Sequence, residues 1–194
     1  MKGTAIYPSP VGDIQLDWED GAVTALKNAD ADAKADAPNE LTRLVFRQLG
    51  EYFAGARKTF DFPYRLHGTP FQEAVWAALR AIPYGETRSY KDIAEAIGHP
   101  KAFRAVGMAN HANPIFIAIP CHRVIGASGS LVGYGGGLEM KKALLELERS
   151  NRCAHGCDSI NSKQLYLKAA NESVAFRGSQ RTMEKQRNTC VFYF

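Results

Sequence analysis

Three side chains able to take part in bond making stand in a row at Cys121, His122 and Arg123, inside the run IAIPCHRVIG. The nucleophilic form of cysteine is the thiolate, and only a few per cent of an unperturbed thiol is ionised at pH 7. A working nucleophile therefore needs a base or a positive charge close by; lowering a thiol pKa by two units corresponds to about 2.7 kcal/mol of thiolate stabilisation. His122 is the candidate base, acting through a tight turn or a bridging water, because neighbours on an extended chain face opposite ways. A third group should orient the imidazole, and Glu139, Glu146 and Glu148 in LEMKKALLELE are all available. Arg123 reads as a structural residue that holds the turn by a salt bridge or hydrogen bonds. The competing reading of Cys121 is a small buried hydrophobe, against which the histidine beside it counts.

The surrounding elements must bring a substrate to that thiol. The apolar, β-branched IFIAI predicts a buried strand that ends at Pro120, so that Cys121 emerges where the strand stops. Upstream, Ser89 with Asp92 three residues on forms a capping box that opens the helix SYKDIAEAIG, and Gly98 stops it. A second helix, HPKAFRAVGMANHAN, starts with Pro100 just inside it. Helix, short break, helix is the outline of a helix-turn-helix, or equally of an ordinary helix pair. The face of the second helix carries Arg104 beside Ala105, Gly107, Met108 and Ala109. Reading bases in the major groove takes several long polar side chains. Small residues instead allow the close approach that a minor groove demands, where a single arginine or apolar wedge displaces a base. Nucleotide extrusion fits that pattern; close helix packing is the plainer account of the same residues.

Before this region, GDIQLDW and AVTAL predict a hairpin and NADADAKADAPNE a surface loop. ELTRLVFRQLGEYFAG predicts an amphipathic helix closed at Gly55. KTFDFPY is a short extended run, after which Thr69 and Pro70 open a helix with Val75, Trp76 and Leu79 on its apolar face. The expected class is α+β: a small N-terminal α/β domain (1–67) with a hairpin sheet and a helix, then a mainly helical domain (68–150). A basic tail without periodicity (151–194) follows, expected to be disordered or loosely packed. Lys and Arg number 8 against 11 Asp and Glu before Arg80, 8 against 4 from Arg80 to Lys142, and 8 against 3 from Arg149 to the end. The positive excess thus sits around the thiol and in the tail, where phosphate contacts or a solvated basic face would both place it. No apolar run approaches the ~20 residues of a membrane helix and no secretory signal opens the chain. With no cysteine before Cys121, a disulfide framework is not expected, and a cytoplasmic, monomeric protein is.

Two stretches carry a family resemblance. PCHRVIG, preceded by Asn113-Pro114 and followed by GYGGGLEMKKALLELE, resembles the methylated-DNA protein-cysteine methyltransferases, the 6-O-alkylguanine-DNA alkyltransferases. GTPFQEAVWAALRAIPYGETRSYKDIAEAIGHPKAFRAVG is similar to the same family, so the match runs from about Gly68 to Glu148, with a looser fit before it. The resemblance implies a protein that binds alkylated double-stranded DNA through the minor groove and rotates the damaged nucleotide out. It would then move the alkyl group from 6-O-methylguanine, and from 4-O-methylthymine, onto its own cysteine. Cys121 would be the acceptor, His122 its base through water, and Glu148 the residue orienting His122. Tyr90 would help turn the phosphate and donate a proton to the departing guanine; Asn113 would brace the turn. Arg104 would fill the gap left by the base, with Ala105 and Gly107 against the DNA. Val124 and Tyr134 would line the base pocket, and Gly135 and Gly136 would admit the base against backbone N–H groups. No cofactor and no metal is implied, since relatives with an N-terminal zinc site use cysteines missing here.

In such a reaction the thiolate attacks the alkyl carbon in line, the carbon–oxygen bond breaks and the base leaves protonated. The thioether is not undone, so each molecule acts once. A zinc nucleobase deaminase would need a second cysteine at position 124, which is valine. A thiol hydrolase would turn over and have no use for the helix pair. A non-catalytic protein that binds alkylated DNA and recruits other repair factors is the remaining alternative, and the presence of Cys121 argues against it. In the tail, CAHGC has metal-ligand residue types but only three of them and no partner motif.

Overall fold

A computed structural model describes residues 1–153. The expected tail, CAHGC included, lies outside the described residues apart from its first three positions, which continue a helix.

Three strands form the N-terminal sheet: β1 (Lys2–Ser9), β2 (Gly12–Glu19) and β3 (Ala22–Asn28), paired antiparallel in the order β1-β2-β3. The predicted hairpin is β2 and β3; β1, which carries Pro8 near its end, is an addition to it. A proline is tolerated there because β1 is an edge strand, where a missing N–H breaks no ladder. Helix α1 (Glu40–Phe53) begins with a reciprocal cap between Asn39 and Thr42, and buries Val45, Leu49, Tyr52 and Phe53. The far edge of β3 is gripped by two passing segments, Val23 bridging to Tyr64 and Leu26 to Ile115.

Helix α2 (Pro70–Arg80) opens as expected, with Thr69 and Gln72 capping one another and Pro70 at the start. Its Trp76 is 1% exposed and donates from Nε1 to the Ala109 carbonyl at 2.9 Å. Strand β4 (Arg88–Ser89) leads into α3 (Tyr90–Ala96), which Ser89 and Asp92 cap reciprocally. Gly98 turns the chain with φ +75°. Helix α4 (Phe103–His111) follows. Pro100 therefore sits in the break and not inside α4, whose cap position is Ala102. The bond from the Ala102 N–H to the His99 carbonyl closes that break as a turn of its own.

The largest departure from expectation is IFIAI. Four of its five residues are buried as predicted and Ala118 is partly so, yet only Ile115 pairs with a strand, and the rest coils tightly. Ile119 donates to the Ile115 carbonyl, Ala118 to Phe116 and Cys121 to Ile119, while Ile117 takes φ +68°. A β-branched residue in the left-handed region is an unusual and strained conformation. Cys121–Arg123 then makes one 3-10 turn, β5 (Val124–Ile125) pairs parallel with β4, and α5 (Leu138–Cys153) packs back against the turn.

A buried thiol, a neutral imidazole and a shared carboxylate

The 3-10 turn resolves the difficulty of adjacent residues. It carries Cys121, His122 and Arg123 in a curve, all three buried, instead of alternating them across a strand. Behind the turn, the α5 face holding Leu144 and Leu147 also carries Glu148, fully buried. Of the three carboxylates that the residues left open, tertiary structure selects Glu148: its Oε1 lies 2.9 Å from His122 Nε2. Arg123 donates to the same carboxylate twice, from Nε to Oε2 and from a terminal nitrogen to Oε1, both at 2.9 Å, and its other terminal nitrogen donates to the Ile82 carbonyl at 2.7 Å. The structural reading of Arg123 thus holds.

Two further donors on Glu148 escaped the sequence reading. Tyr52 of α1 donates its hydroxyl to Oε1 at 2.8 Å, and the Gly85 N–H donates to Oε2 at 3.0 Å. Burial alone would raise the Glu148 carboxyl, but the hydrogen bonds and charges of His122 and Arg123 outweigh it and hold the group well below the usual carboxylate range. A carboxylate accepts only, so the proton on His122 belongs to Nε2 and the lone pair to Nδ1. Nδ1 is buried and has no partner among the described residues. Burial pushes the His122 pKa down, against the pull of Glu148, and Arg123 and Lys141 push it further. The imidazole is therefore neutral at pH 7, the form in which an imidazole is able to accept a proton.

Cys121 is 7% exposed. Burial pushes its thiol up, and the Asn113 hydrogen bond and the Lys141 charge offset this only in part. The resting sulfur is therefore a protonated thiol. Asn113 lies across the turn: Nδ2 donates to the Ile119 carbonyl at 2.8 Å and to Sγ at 3.2 Å, and Oδ1 accepts from the Ile115 N–H at 3.0 Å. Lys141 is fully buried and donates to the carbonyls of Val124 at 2.7 Å and Val132 at 3.0 Å. The sequence reading passed over Lys141; its spacing from Leu144 and Glu148, three and seven residues along one apolar helix face, is the signal that could have found it.

Sγ opens onto a cleft of about 180 Å³ lined by Tyr90, Gly107, Asn110, Tyr134 and Gly135 among others. Tyr90 is placed there by the β4–β5 ladder, which ends one residue before it, and its hydroxyl donates to the Val132 carbonyl at 3.1 Å. Two expected pocket residues are elsewhere. Val124 is fully buried behind the turn, and Gly136 backs onto Tyr134 and Met140, where an added Cβ would lie 2.8 Å and 2.5 Å from their atoms. Arg104 and Ala105 are exposed on α4. A Cβ on Gly107 would meet only Tyr90, at an ordinary 3.8 Å, so packing within the protein does not require glycine there.

Replacing Tyr52 by phenylalanine keeps the ring packed and removes one bond to a buried carboxylate. The expected cost is about 1.5–3 kcal/mol of stability, the usual worth of a hydrogen bond to a charged group; urea unfolding measures it, and an unchanged midpoint would show the bond carries nothing.

Comparison with known proteins adds a second line. Residues 70–150 match the family described as 6-O-methylguanine DNA methyltransferase, DNA binding domain, and residues 4–66 match its ribonuclease-like domain. A Methanosarcina acetivorans methylated-DNA–protein-cysteine methyltransferase is 49% identical over 152 residues, covering 75% of this chain and 97% of the relative. The crystal structure of Mycobacterium tuberculosis O6-methylguanine methyltransferase superposes with a TM-score of 0.72 at 47% identity, covering 78% of this chain and 94% of that one. A structure of the Mycobacterium tuberculosis protein in complex with DNA gives a TM-score of 0.70 at 49% identity, covering 76% and 93%.

Proposed function

The chain belongs to the 6-O-methylguanine DNA methyltransferase family, and from that premise we propose how its own residues carry out the family's reaction. The activity is direct DNA repair, the transfer of an alkyl group from DNA to a cysteine of the protein. The acceptor is Cys121, and the observation that carries this assignment is a buried thiol opening onto a base-sized cleft beside a neutral histidine whose Nδ1 has no partner among the described residues. A water between Nδ1 and Sγ passes the thiol proton to His122 while sulfur attacks the methyl carbon. The methyl–oxygen bond breaks, its electron pair stays on the base, and Tyr90, released from Val132, protonates the departing guanine. Glu148 stabilises the imidazolium that forms, and Arg123 keeps Glu148 ionised and in place.

The DNA is held by the α3–α4 pair. Arg104 enters the gap that the extruded nucleotide leaves, and Ala105 and Gly107 let the backbone of α4 approach the minor groove. The two halves, 1–67 and 68–150, act as separate domains in this reading, supported by the two matched ranges. No helix of the described residues is long and apolar enough to cross a membrane, and a reducing, cytoplasmic setting suits a free acceptor thiol.

Intact-protein mass spectrometry after incubation with a 6-O-methylguanine duplex tests the reading. One methyl should appear per molecule, on the peptide holding Cys121; more than one lesion repaired per protein, or a methyl on another residue, would refute it. In the same assay Arg104→Ala should slow transfer from duplex DNA by about ten- to a hundredfold, the worth of one base-displacing contact of ~1–3 kcal/mol.

A further inference from the structure

Asn110 sits in the last turn of α4, 8% exposed, and lines the cleft into which Cys121 opens. Neither its Nδ2 nor its Oδ1 has a hydrogen-bond partner among the described residues. A buried amide without partners forfeits the bonds that water gave it, and such groups in a folded protein call for an explanation. Packing supplies none, because its inward-facing neighbours on α4, Val106 and Ala109, are apolar, and a leucine would fill the same space without that loss. The Tyr134 hydroxyl, on the facing loop, is a third buried polar atom of this cleft without a partner among the described residues.

We infer that Asn110 is a specificity-determining residue that reads the extruded base, an inference that rests on the function proposed above. An amide offers one donor and one acceptor side by side. The complement is a base edge with a ring-nitrogen acceptor next to an amino donor. Methylation at O6 removes the proton from N1, so 6-O-methylguanine presents that edge at N1 and the 2-amino group, and again at N3 and the 2-amino group. Nδ2 donates to the ring nitrogen and Oδ1 accepts from the amine. 4-O-Methylthymine places a carbonyl oxygen where the amine stood, which leaves Oδ1 facing another acceptor. Asn110 thus favours the guanine lesion over the thymine lesion by chemistry and not by size.

The test is a cycle of single-turnover rates: wild type and Asn110→Leu, each with duplexes carrying 6-O-methylguanine or 6-O-methylhypoxanthine, which lacks only the 2-amino group. Wild type should lose about tenfold or more on removal of the amine, and Asn110→Leu should lose several-fold less. The preference for 6-O-methylguanine over 4-O-methylthymine should narrow in the same variant, and in Asn110→Ala, whose retained duplex affinity reports that the fold survives. Equal losses in wild type and both variants would overturn the assignment of Asn110 while leaving Cys121 methylation intact. Absence of methyl on wild-type Cys121 would instead overturn the proposed function, and this inference with it.

Discussion

Cys121→Ala abolishes methyl transfer and leaves duplex binding within about threefold of wild type, a change below ~0.7 kcal/mol. The two effects separate because the groups are separate. Sulfur is the only atom that forms the new bond, so the loss is complete and no neighbouring group substitutes for it. The proposed DNA contacts lie instead on the exposed residues of α4, Arg104 and Ala105, and on Gly107, none of which the substitution alters. Asn113 keeps its bonds to the Ile119 carbonyl and the Ile115 N–H and so preserves the turn. Gel retardation with an alkylated duplex, run beside the mass measurement, checks both halves. Residual transfer would place the acceptor elsewhere, and a binding loss of a hundredfold would mean that the thiol is part of the DNA site.

Glu148→Ala should be the most destabilising single change, costing about 3–5 kcal/mol, because it leaves the Arg123 guanidinium buried with its charge uncompensated. For a chain of this size that corresponds to roughly 6–20 °C in Tm. Transfer should also collapse at temperatures where the variant stays folded, since His122 loses the acceptor that fixes its tautomer. Acid titration gives an independent sign. Both His122 and Glu148 have lowered pKa values in the folded protein, so the unfolded chain binds more protons than the folded one as pH falls. Stability is therefore fully present above the unfolded histidine value near ~6.5, declines below it, and declines again below about 4.3 as unfolded glutamate takes up its proton. Glu148→Ala shrinks the second decline to what the other lowered carboxyls, Asp20 and Asp92, contribute. Urea midpoints between about pH 3 and 8 would show it, and a variant with the wild-type acid profile would refute the assignment.

What the residue order determined is local. The capping pair Ser89–Asp92 and the Thr69-Pro70 opening involve near neighbours, so these two helix starts were legible from the sequence and lie where expected. The thiol, the histidine beside it and the small-residue helix were legible for the same reason, as was the structural part of Arg123. IFIAI misled because a buried apolar run looks the same whether it pairs or coils; two contacts to Leu26 and a left-handed Ile117 decide the matter, and both depend on the β3 edge arriving from far along the chain. Tyr52 reaches Glu148 across 96 residues, and Gly85 across 63, distances over which no periodicity carries information. The family resemblance already pointed to Glu148, which the residues' own chemistry left level with Glu139 and Glu146; tertiary structure put it against His122, left Val124 and Gly136 out of the cleft lining, and placed Asn110 in it. Residue types set what chemistry is available through bonds short in sequence; burial decides which of those groups keep their charge, their proton or an empty hydrogen-bonding site, and burial is a property of the packed whole.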